Sequence, residues 1–205
     1  MHQYTIHQEL LAACSEHFRN TLKGPIQEGR DSEMMLTNVT KGTFEVFMHW
    51  LYSHELLDNL QMSQLFALYA FAARYQIPSL QKVSMNAYFI EYTDSDHLPT
   101  YETVIEAFEL FPETSPICKF LVDIYCEGFQ PNCDDDQEKQ LRSKLPHKFL
   151  VNCLLKSSEL RSHAVGDGDP CKLDPCDYHE HFNIQERVKC ELRKEVMNSR
   201  TESSA

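Results

Sequence analysis

The chain has 205 residues, of which 42% are hydrophobic and 24% are charged, so it holds enough apolar material for a globular core. There are 31 acidic residues against 19 basic ones, which gives a formal charge of -12. A chain this acidic is repelled by nucleic acid and by anionic membranes, and we expect neither as a partner. Glycine occurs only 6 times, which disfavours a turn-rich all-β fold.

The first 38 residues mix strand-like and helical patterns. Residues 3–6 alternate like the end of a strand, and the pattern becomes helical at His7. Two short helices are predicted over 8–22, with Ser15 as the N-cap of the second. A second short strand is predicted over 32–38. The start of the chain therefore predicts helices beside a small residual sheet.

The middle of the chain predicts three consecutive helices. Thr40 begins the first, whose apolar residues recur at helical spacing. Residues 62–77 are apolar nearly all round, which indicates a central buried helix. Pro78 fits the first turn of the third helix, where its missing N–H is not needed. Trp50, in the first of these helices, is expected to pack in the core rather than to serve as an exposed anchor for a partner.

A polar segment rich in helix-breaking residues, "TDSDHLPT" at 93–100, marks a boundary. Two amphipathic helices are predicted after it, around 104–111 and 117–125. Residues 130–140 predict a solvated loop, and a last helix is predicted over 147–161. The residues of that helix expected to face inward are Phe149, Leu150, Cys153 and Leu154.

The pattern predicts a mostly α (α+β) chain in three parts. The first part, 1–92, is a helical cluster with the small sheet. The second, 93–163, is a helical extension. The third, 164–205, is a polar tail that contains cysteine and histidine and is low in apolar residues.

Several motifs of the first part together resemble a BTB/POZ domain. They are "ELLAACSEHF" after the strand-like start, the short strand "MML", the acidic-aromatic helix "TFEVFMHWLY" and the helical pair "LYAFAARYQIPSLQKVSMNAYFI". The pattern A-x-x-Y-x-I-P-x-L within the last of these is similar to fungal BTB proteins. The resemblance covers roughly residues 3–92, and the helices that follow resemble the extension found in those proteins.

The resemblance departs from the family at its start. Family members begin with a pair of strands, whereas here only the end of the second strand is present, at residues 3–6. Because Met1 lies inside the usual domain, the resemblance implies an N-terminally shortened BTB domain. The missing strand takes part in the family's swapped dimers, so self-association stays open and is expected to be weakened.

The resemblance implies an interaction module with protein partners and no catalytic centre. Many BTB domains bind a cullin scaffold and recruit substrates for ubiquitylation, through a hydrophobic-x-acidic step after the second helix. The matching positions are Ile26 and Glu28, and Pro25 favours an extended backbone there. Two alternatives stay open: another protein–protein role, or Ile26 as an ordinary loop residue packed on the second helix. His7 matches the family's histidine at the strand–helix junction, where a structural bond to backbone near the helix start is expected.

The tail carries five residues that could bind a metal, in the spacing C-x4-C-x2-H-x-H-x8-C. Thiolates and imidazoles are the natural ligands of structural zinc, and a metal could fold a tail too polar to fold alone. A zinc-stabilised tail on a vestigial BTB scaffold is therefore the alternative function. A tail without a metal and a redox or disulfide role also stay open, and no other cofactor is expected. The five residues are Cys171, Cys176, His179, His181 and Cys190.

No catalytic motif is found in the sequence, so we expect no enzyme. There is no Gly-rich phosphate loop, no G-x-S-x-G and no H-E-x-x-H, and "CDDD" at 133–136 predicts a solvated acidic loop. The first residues lack the pattern of a secretory signal, so a cytoplasmic or nuclear location is expected. The eight cysteines are then expected to be reduced, and Cys14, Cys118 and Cys153 are expected to be small core residues.

Overall fold

The structure is a computed structural model that describes residues 2–22, 34–93, 97–130, 134–163, 173–179 and 188. Within these ranges it contains nine α-helices and two short 3-10 helices, at Arg142–Lys144 and Pro175–Tyr178. No helix in these ranges is both long and apolar enough to cross a membrane. The α-helices are α1 Gln8–Cys14, α2 Glu16–Leu22, α3 Lys41–Ser53, α4 Met62–Arg74, α5 Pro78–Thr93, α6 Tyr101–Leu110, α7 Pro116–Gly128, α8 Asp136–Leu141 and α9 His147–His163.

The mostly α fold class is confirmed, but the small residual sheet is not found in the described ranges. Neither residues 3–6 nor residues 34–38 form a strand there. A strand needs a neighbour that accepts and donates its backbone hydrogen bonds. Residues 3–6 instead lie along α3, where the ring of Tyr4 is 4.9 Å from that of Phe44 and its hydroxyl donates to Glu45 over 3.3 Å.

The first half of the molecule packs around an aromatic core. Phe47 of α3 is fully buried, and its ring centroid lies 4.9 Å from that of Phe71 on α4. Phe18 of α2 stacks on Tyr75 with the ring centroids 5.4 Å apart. Trp50 is 4% exposed in the same core, so its predicted core role is confirmed. This core holds α1 to α3 against the α4–α5 pair.

Two of the predicted helix starts are confirmed by hydrogen bonds. The Thr40 hydroxyl accepts from the backbone N–H of Thr43 at the start of α3. The Ser15 hydroxyl accepts from the backbone N–H of Phe18 over 3.1 Å. It also donates to the backbone carbonyl of Tyr75 over 2.5 Å. Since Tyr75 follows the last residue of α4, the buried Ser15 hydroxyl links the start of α2 to the end of α4.

The second half of the molecule packs on the other side of the same α4–α5 pair. Phe66 of α4 and Tyr88 of α5 belong to a second core with Phe120 of α7 and Phe149 of α9. The rings of Tyr88 and Phe120 are 5.9 Å apart. The helical extension is therefore joined to the first half through two helices that contribute to both cores.

Two of the side chains expected to face inward from α9 are exposed. Phe149 is 2% exposed and packs on Tyr125, as expected, whereas Leu150 is 47% and Leu154 is 66% exposed. One residue is about 100° of rotation in a helix of 3.6 residues per turn. Leu150 and Leu154 therefore form their own stripe beside the one that contains Phe149 and Cys153, and α9 meets α7 over a narrow face.

The loop predicted over 130–140 is wrong for its second half, because α8 begins at Asp136. The side chain of Asp135 accepts the backbone N–H groups of Gln137 and Glu138, each over 2.8 Å. A carboxylate at the N-cap satisfies donors that a helix start leaves free. This cap allows a stretch with few apolar residues to form a short helix.

Candidate partner-binding site and buried polar clusters

The residues predicted to contact a cullin lie outside the described part of the structure. Ile26 and Glu28 fall between Leu22, where α2 ends, and Met34, where the described chain resumes. The assignment of these two residues therefore stays a prediction.

His7 joins the start of α1 to the end of α3. Its Nδ1 lies 2.9 Å from the hydroxyl of Tyr52, and its backbone N–H donates to the same oxygen over 3.4 Å. The side chain makes no capping bond to α1, so the expected bond to backbone near the helix start is replaced by this contact. Since Tyr4 contacts Phe44 earlier on α3, residues 4–7 run alongside that helix in the same direction.

The predicted metal ligands are only partly within the described chain. Cys176 and His179 belong to the segment 173–179, whereas Cys171, His181 and Cys190 lie outside the described residues. In the part of the chain that the structure describes, no three residues of the metal-binding types are grouped for a metal ion. Asp174 caps the 3-10 helix by accepting the backbone N–H of Cys176 over 3.0 Å, so a turn forms at the Asp-Pro step.

Tyr178 anchors this tail segment in the core of the extension. It is 3% exposed, and its ring lies 5.7 Å from that of Phe89 and 5.3 Å from that of Phe120. Its hydroxyl donates to the carboxylate of Asp123 over 2.9 Å, and Lys156 lies 3.1 Å from the other oxygen of that carboxylate. Burial, and then the charge of Asp123, raise the pKa of Tyr178. This anchor was not predicted, because in the sequence Tyr178 is simply an aromatic residue in a polar tail.

A second buried carboxylate fastens the segment before α8 to the start of α6. The Asp134 side chain is 7% exposed, and it accepts from the hydroxyl of Tyr101 over 2.9 Å and from Nε of Arg142 over 2.6 Å. Glu138 accepts the backbone N–H of Tyr101 over 3.0 Å. Burial, and then the bond to Asp134, raise the pKa of Tyr101 to about 12. The expectation that the acidic run is fully solvated is therefore wrong for Asp134.

A pair of thiols lies between α7 and α9. The thiol of Cys126 is 3.5 Å from the backbone carbonyl of Cys153, and the Ser157 hydroxyl lies 3.6 Å from the Cys126 sulfur. The Cys153 side chain lowers the pKa of Cys126, whereas Cys126 and burial raise the pKa of Cys153. By contrast, burial raises the pKa of Cys14 in α1 to about 11.

An open groove of about 440 Å³ runs between the same two helices. The Asp123–Lys156 ion pair lies in its wall, one helical turn from Cys126 along α7. The groove is lined by Glu113, Thr114, Lys119, Val122, Asp123, Asn152, Leu155, Lys156 and Glu159.

The class of the first half follows from its helices and from comparison with known families. Residues 1–89 match the BTB/POZ domain, so α1 to α4 and most of α5 form a domain of that type. BTB/POZ domains mediate protein–protein interactions, which makes an interaction module the function class of this region.

The first half of the chain is similar in sequence to Kelch-like proteins. Kelch-like protein 41 of Homo sapiens is 33% identical over 81 residues, which are 39% of this chain and 13% of that protein. Its counterpart in Rattus norvegicus is 32% identical over 84 residues, 40% of this chain and 13% of that protein. Kelch-like protein 40b of Danio rerio is 27% identical over 84 residues, 41% of this chain and 13% of that protein.

The chain thus spans about 13% of the length of these relatives. No solved structure is significantly similar to the chain. The fungal character and the shortened start implied by the sequence resemblance stay predictions.

Proposed function

We propose that the chain is an adaptor of BTB/POZ type that brings a protein substrate to a cullin-type ubiquitin ligase in the cytoplasm or nucleus. The observation that carries this proposal is the match of residues 1–89 to the BTB/POZ domain. The similarity of that region to Kelch-like proteins supports it.

The proposed cullin contact is the hydrophobic-x-acidic step of Ile26 and Glu28. An apolar side chain that fills a pocket at the centre of an interface contributes much more binding energy than the contacts around it. Ile26 would supply that anchor, and Glu28 would add a charged contact beside it. Pro25 restricts the backbone there, which favours presentation of Ile26 away from the domain.

The packing of the extension suits an adaptor. Because α4 and α5 contribute to both cores, a partner held by α6 to α9 would keep a defined position relative to the BTB/POZ domain. An adaptor needs this rigidity, since the ligase must reach its substrate in a reproducible geometry.

The test is a titration of the full chain against the N-terminal half of a cullin-3-type scaffold. We expect wild-type protein to bind and Ile26→Asp to lose at least about 30-fold in affinity, as for the loss of a hot spot worth about 2 kcal/mol. Leu154→Asp is the matched control, because it introduces the same charge on α9 in place of an aliphatic side chain that is already 66% exposed. We expect the control to bind like wild type.

The possible outcomes test the Ile26 contact and the cullin partner separately. Binding that is equal in wild type and Ile26→Asp would remove Ile26 as the contact and leave the adaptor role standing. No binding by a wild-type protein whose circular dichroism shows a folded helical chain would remove the cullin partner. The remaining function would then be a BTB/POZ interaction module outside the ubiquitin system, and light scattering of the same sample would report whether it self-associates.

We also propose a structural zinc ion in the tail, with Cys171, Cys176, His179, His181 and Cys190 as the candidate ligands. Support comes from Cys176 and His179, which lie in one short segment that Tyr178 fixes to the extension. Elemental analysis of the purified chain should find about one zinc per molecule, and Cys176→Ser should lose it. A folded chain without zinc would refute the proposal.

A further inference from the structure

The helical extension contains two cysteines, on α7 and α9, that the proposed interaction function does not explain. We propose that Cys126 and Cys153 form a peroxide-responsive dithiol site that closes to a disulfide between α7 and α9. The site lies in the helical extension, beyond residues 1–89.

The first support is the position of the Cys126 sulfur against Cys153. The Cys126 thiol donates to the backbone carbonyl oxygen of Cys153 over 3.5 Å, so the two cysteines are neighbours across the contact between α7 and α9. The Ser157 hydroxyl lies 3.6 Å from the Cys126 sulfur, so one turn of α9 surrounds that sulfur with hydrogen-bonding groups. A disulfide requires two cysteines whose side chains already face each other, because the geometry of the bond tolerates little backbone movement.

The second support is the set of charges around Cys126. Lys156 of α9 favours the thiolate, whereas Asp123 of the same helix as Cys126 opposes it, and the carboxyl group of Glu127 lies beside Asp123. The effect of the Cys153 side chain outweighs that of burial, so the pKa of Cys126 is lowered. Cys126 is therefore more readily ionised than an ordinary cysteine, and the thiolate is the form that reacts.

The third support is access. Cys126 and Cys153 are half-buried, and the open groove between α7 and α9 begins one helical turn away at Asp123 and Lys156. A small polar oxidant such as hydrogen peroxide can enter a groove of about 440 Å³. The half-burial restricts the access of large proteins to both thiols.

The chemistry is a two-electron oxidation in two displacements. The Cys126 thiolate attacks one oxygen of hydrogen peroxide, the O–O bond breaks, and the departing hydroxide takes a proton to become water. Cys126 is then a sulfenic acid. The sulfur of Cys153 gives up its proton and attacks the sulfur of Cys126, the S–O bond breaks, and the second oxygen leaves as water. In total, two thiols and one hydrogen peroxide give one disulfide and two waters.

The structure provides an internal comparison in Cys14, which is also half-buried and has a pKa of about 11. Because the pKa of Cys126 is lowered and that of Cys14 is raised, Cys126 has the larger thiolate fraction at pH 7. The lower intrinsic reactivity of a more acidic thiolate cancels part of this difference. With a Brønsted slope of about 0.4–0.5 the cancellation is incomplete, so Cys126 should react on the order of tenfold or more faster than Cys14.

The experiment treats the reduced full chain with hydrogen peroxide at pH 7. The remaining thiols are then blocked with N-ethylmaleimide in denaturant, and the tryptic peptides are mapped by mass spectrometry. We expect a crosslink between Cys126 and the peptide 149–156, which contains Cys153, before Cys14 loses its maleimide adduct. The tryptic peptide 120–139 also carries Cys133, so the experiment is repeated with Cys133→Ser, which should give the same crosslink.

Two further variants test the order of the steps. In Cys153→Ser, Cys126 should stop at the sulfenic acid, which dimedone traps, and no crosslink should form. Cys14→Ser should leave the crosslink yield unchanged. Circular dichroism before oxidation checks that each variant is folded.

Three results would overturn the proposal. One is oxidation of Cys126 at a rate within a few-fold of Cys14. Another is conversion of Cys126 in wild type to sulfinic acid without any crosslink to Cys153. The last is a crosslink that disappears in Cys133→Ser, which would show that Cys133 and not Cys126 is the reacting residue.

Discussion

The BTB/POZ half and the helical extension are each stabilised internally by a different kind of contact. The BTB/POZ half is packed through aromatic rings, and the buried polar side chains among its described residues are those of Ser15 and Ser84. The extension also has an aromatic core, but in addition it contains two largely buried carboxylates. Asp134 and Asp123 are 7% and 18% exposed at their side chains, and each is bonded to a tyrosine hydroxyl and paired with a cation.

This difference indicates how each half obtains a unique arrangement. Apolar packing has no direction, so the BTB/POZ half depends on the shape of its rings and on helix caps such as Ser15. A buried carboxylate must find specific donors, because an unpaired buried charge costs several kcal/mol. Asp123 and Asp134 therefore position the tail segment and the start of α6 more narrowly than packing alone would.

The largest expected effect tests whether the two halves unfold together. Phe47→Ala in the first core and Phe120→Ala in the second should each lower the free energy of unfolding by about 3–5 kcal/mol, because each removes a fully buried ring. Since α4 and α5 belong to both cores, Phe120→Ala should lower the urea midpoint by the same amount when it is followed by Trp50 fluorescence or by circular dichroism.

Trp50 makes this test specific, because it is the only tryptophan and lies in the BTB/POZ half. If Phe120→Ala moved the midpoint seen by circular dichroism and left the fluorescence midpoint unchanged, the halves would unfold independently. The shared role of α4 and α5 would then be wrong.

The intermediate effect tests the buried carboxylate that pins α6. Asp134→Ala removes the acceptor of both Tyr101 and Arg142, and it should lower the free energy of unfolding by about 1–3 kcal/mol. Asp136→Ala is the matched control, since that side chain is 94% exposed and is paired with Lys139 on the surface. The control should change stability by less than about 0.5 kcal/mol. If both variants lost the same stability in urea denaturation, the buried contacts of Asp134 would contribute no more than the exposed contact of Asp136.

The smallest effect is a pH dependence in the extension. Burial, and then the nearby Asp123 carboxylate, raise the pKa of Glu127 above its ordinary value of 4.5. The folded chain therefore binds more protons than the unfolded chain just above pH 4.5, and this group's contribution to stability falls as the pH rises through that window. Glu127→Gln should be slightly more stable than wild type at pH 7 and equal to it at pH 4.

Thermal denaturation at the two pH values measures this effect. A variant that is less stable than wild type at pH 7 would show that Glu127 makes a favourable contact that outweighs its repulsion from Asp123. Glu102→Gln serves as the control for a general change of net charge, because that carboxylate is exposed on α6.

The sequence predicted most of the helices for a local reason. Helical spacing and caps depend on residues three or four positions apart, so Thr40 and Ser15 were recognisable as helix starts. The same reasoning failed for Leu150 and Leu154, which repeat with the helix but lie on a face that α7 does not cover. Periodicity shows that a stripe exists, and only the neighbouring helix decides which stripe is buried.

The long-range polar contacts could not be predicted in this way. Tyr178 and Asp123 are 55 positions apart, and Tyr101 and Asp134 are 33 positions apart. In the sequence, the acidic run and the tail both indicate solvent, because Asp and polar segments are mostly exposed. The predicted contact residues Ile26 and Glu28 and most of the tail ligands lie outside the described chain, so the structure adds nothing to their assignment.

The sequence by itself determined the helical class, the order of the helices and the resemblance of the first half to BTB/POZ domains, because these rest on local spacing and on a recognisable run of motifs. The tertiary structure alone decided that α4 and α5 serve two cores, that Asp134 and Tyr178 are buried, and that Cys126 meets Cys153. These depend on which helix faces meet, and that is settled by the packing of the whole chain rather than by any one segment.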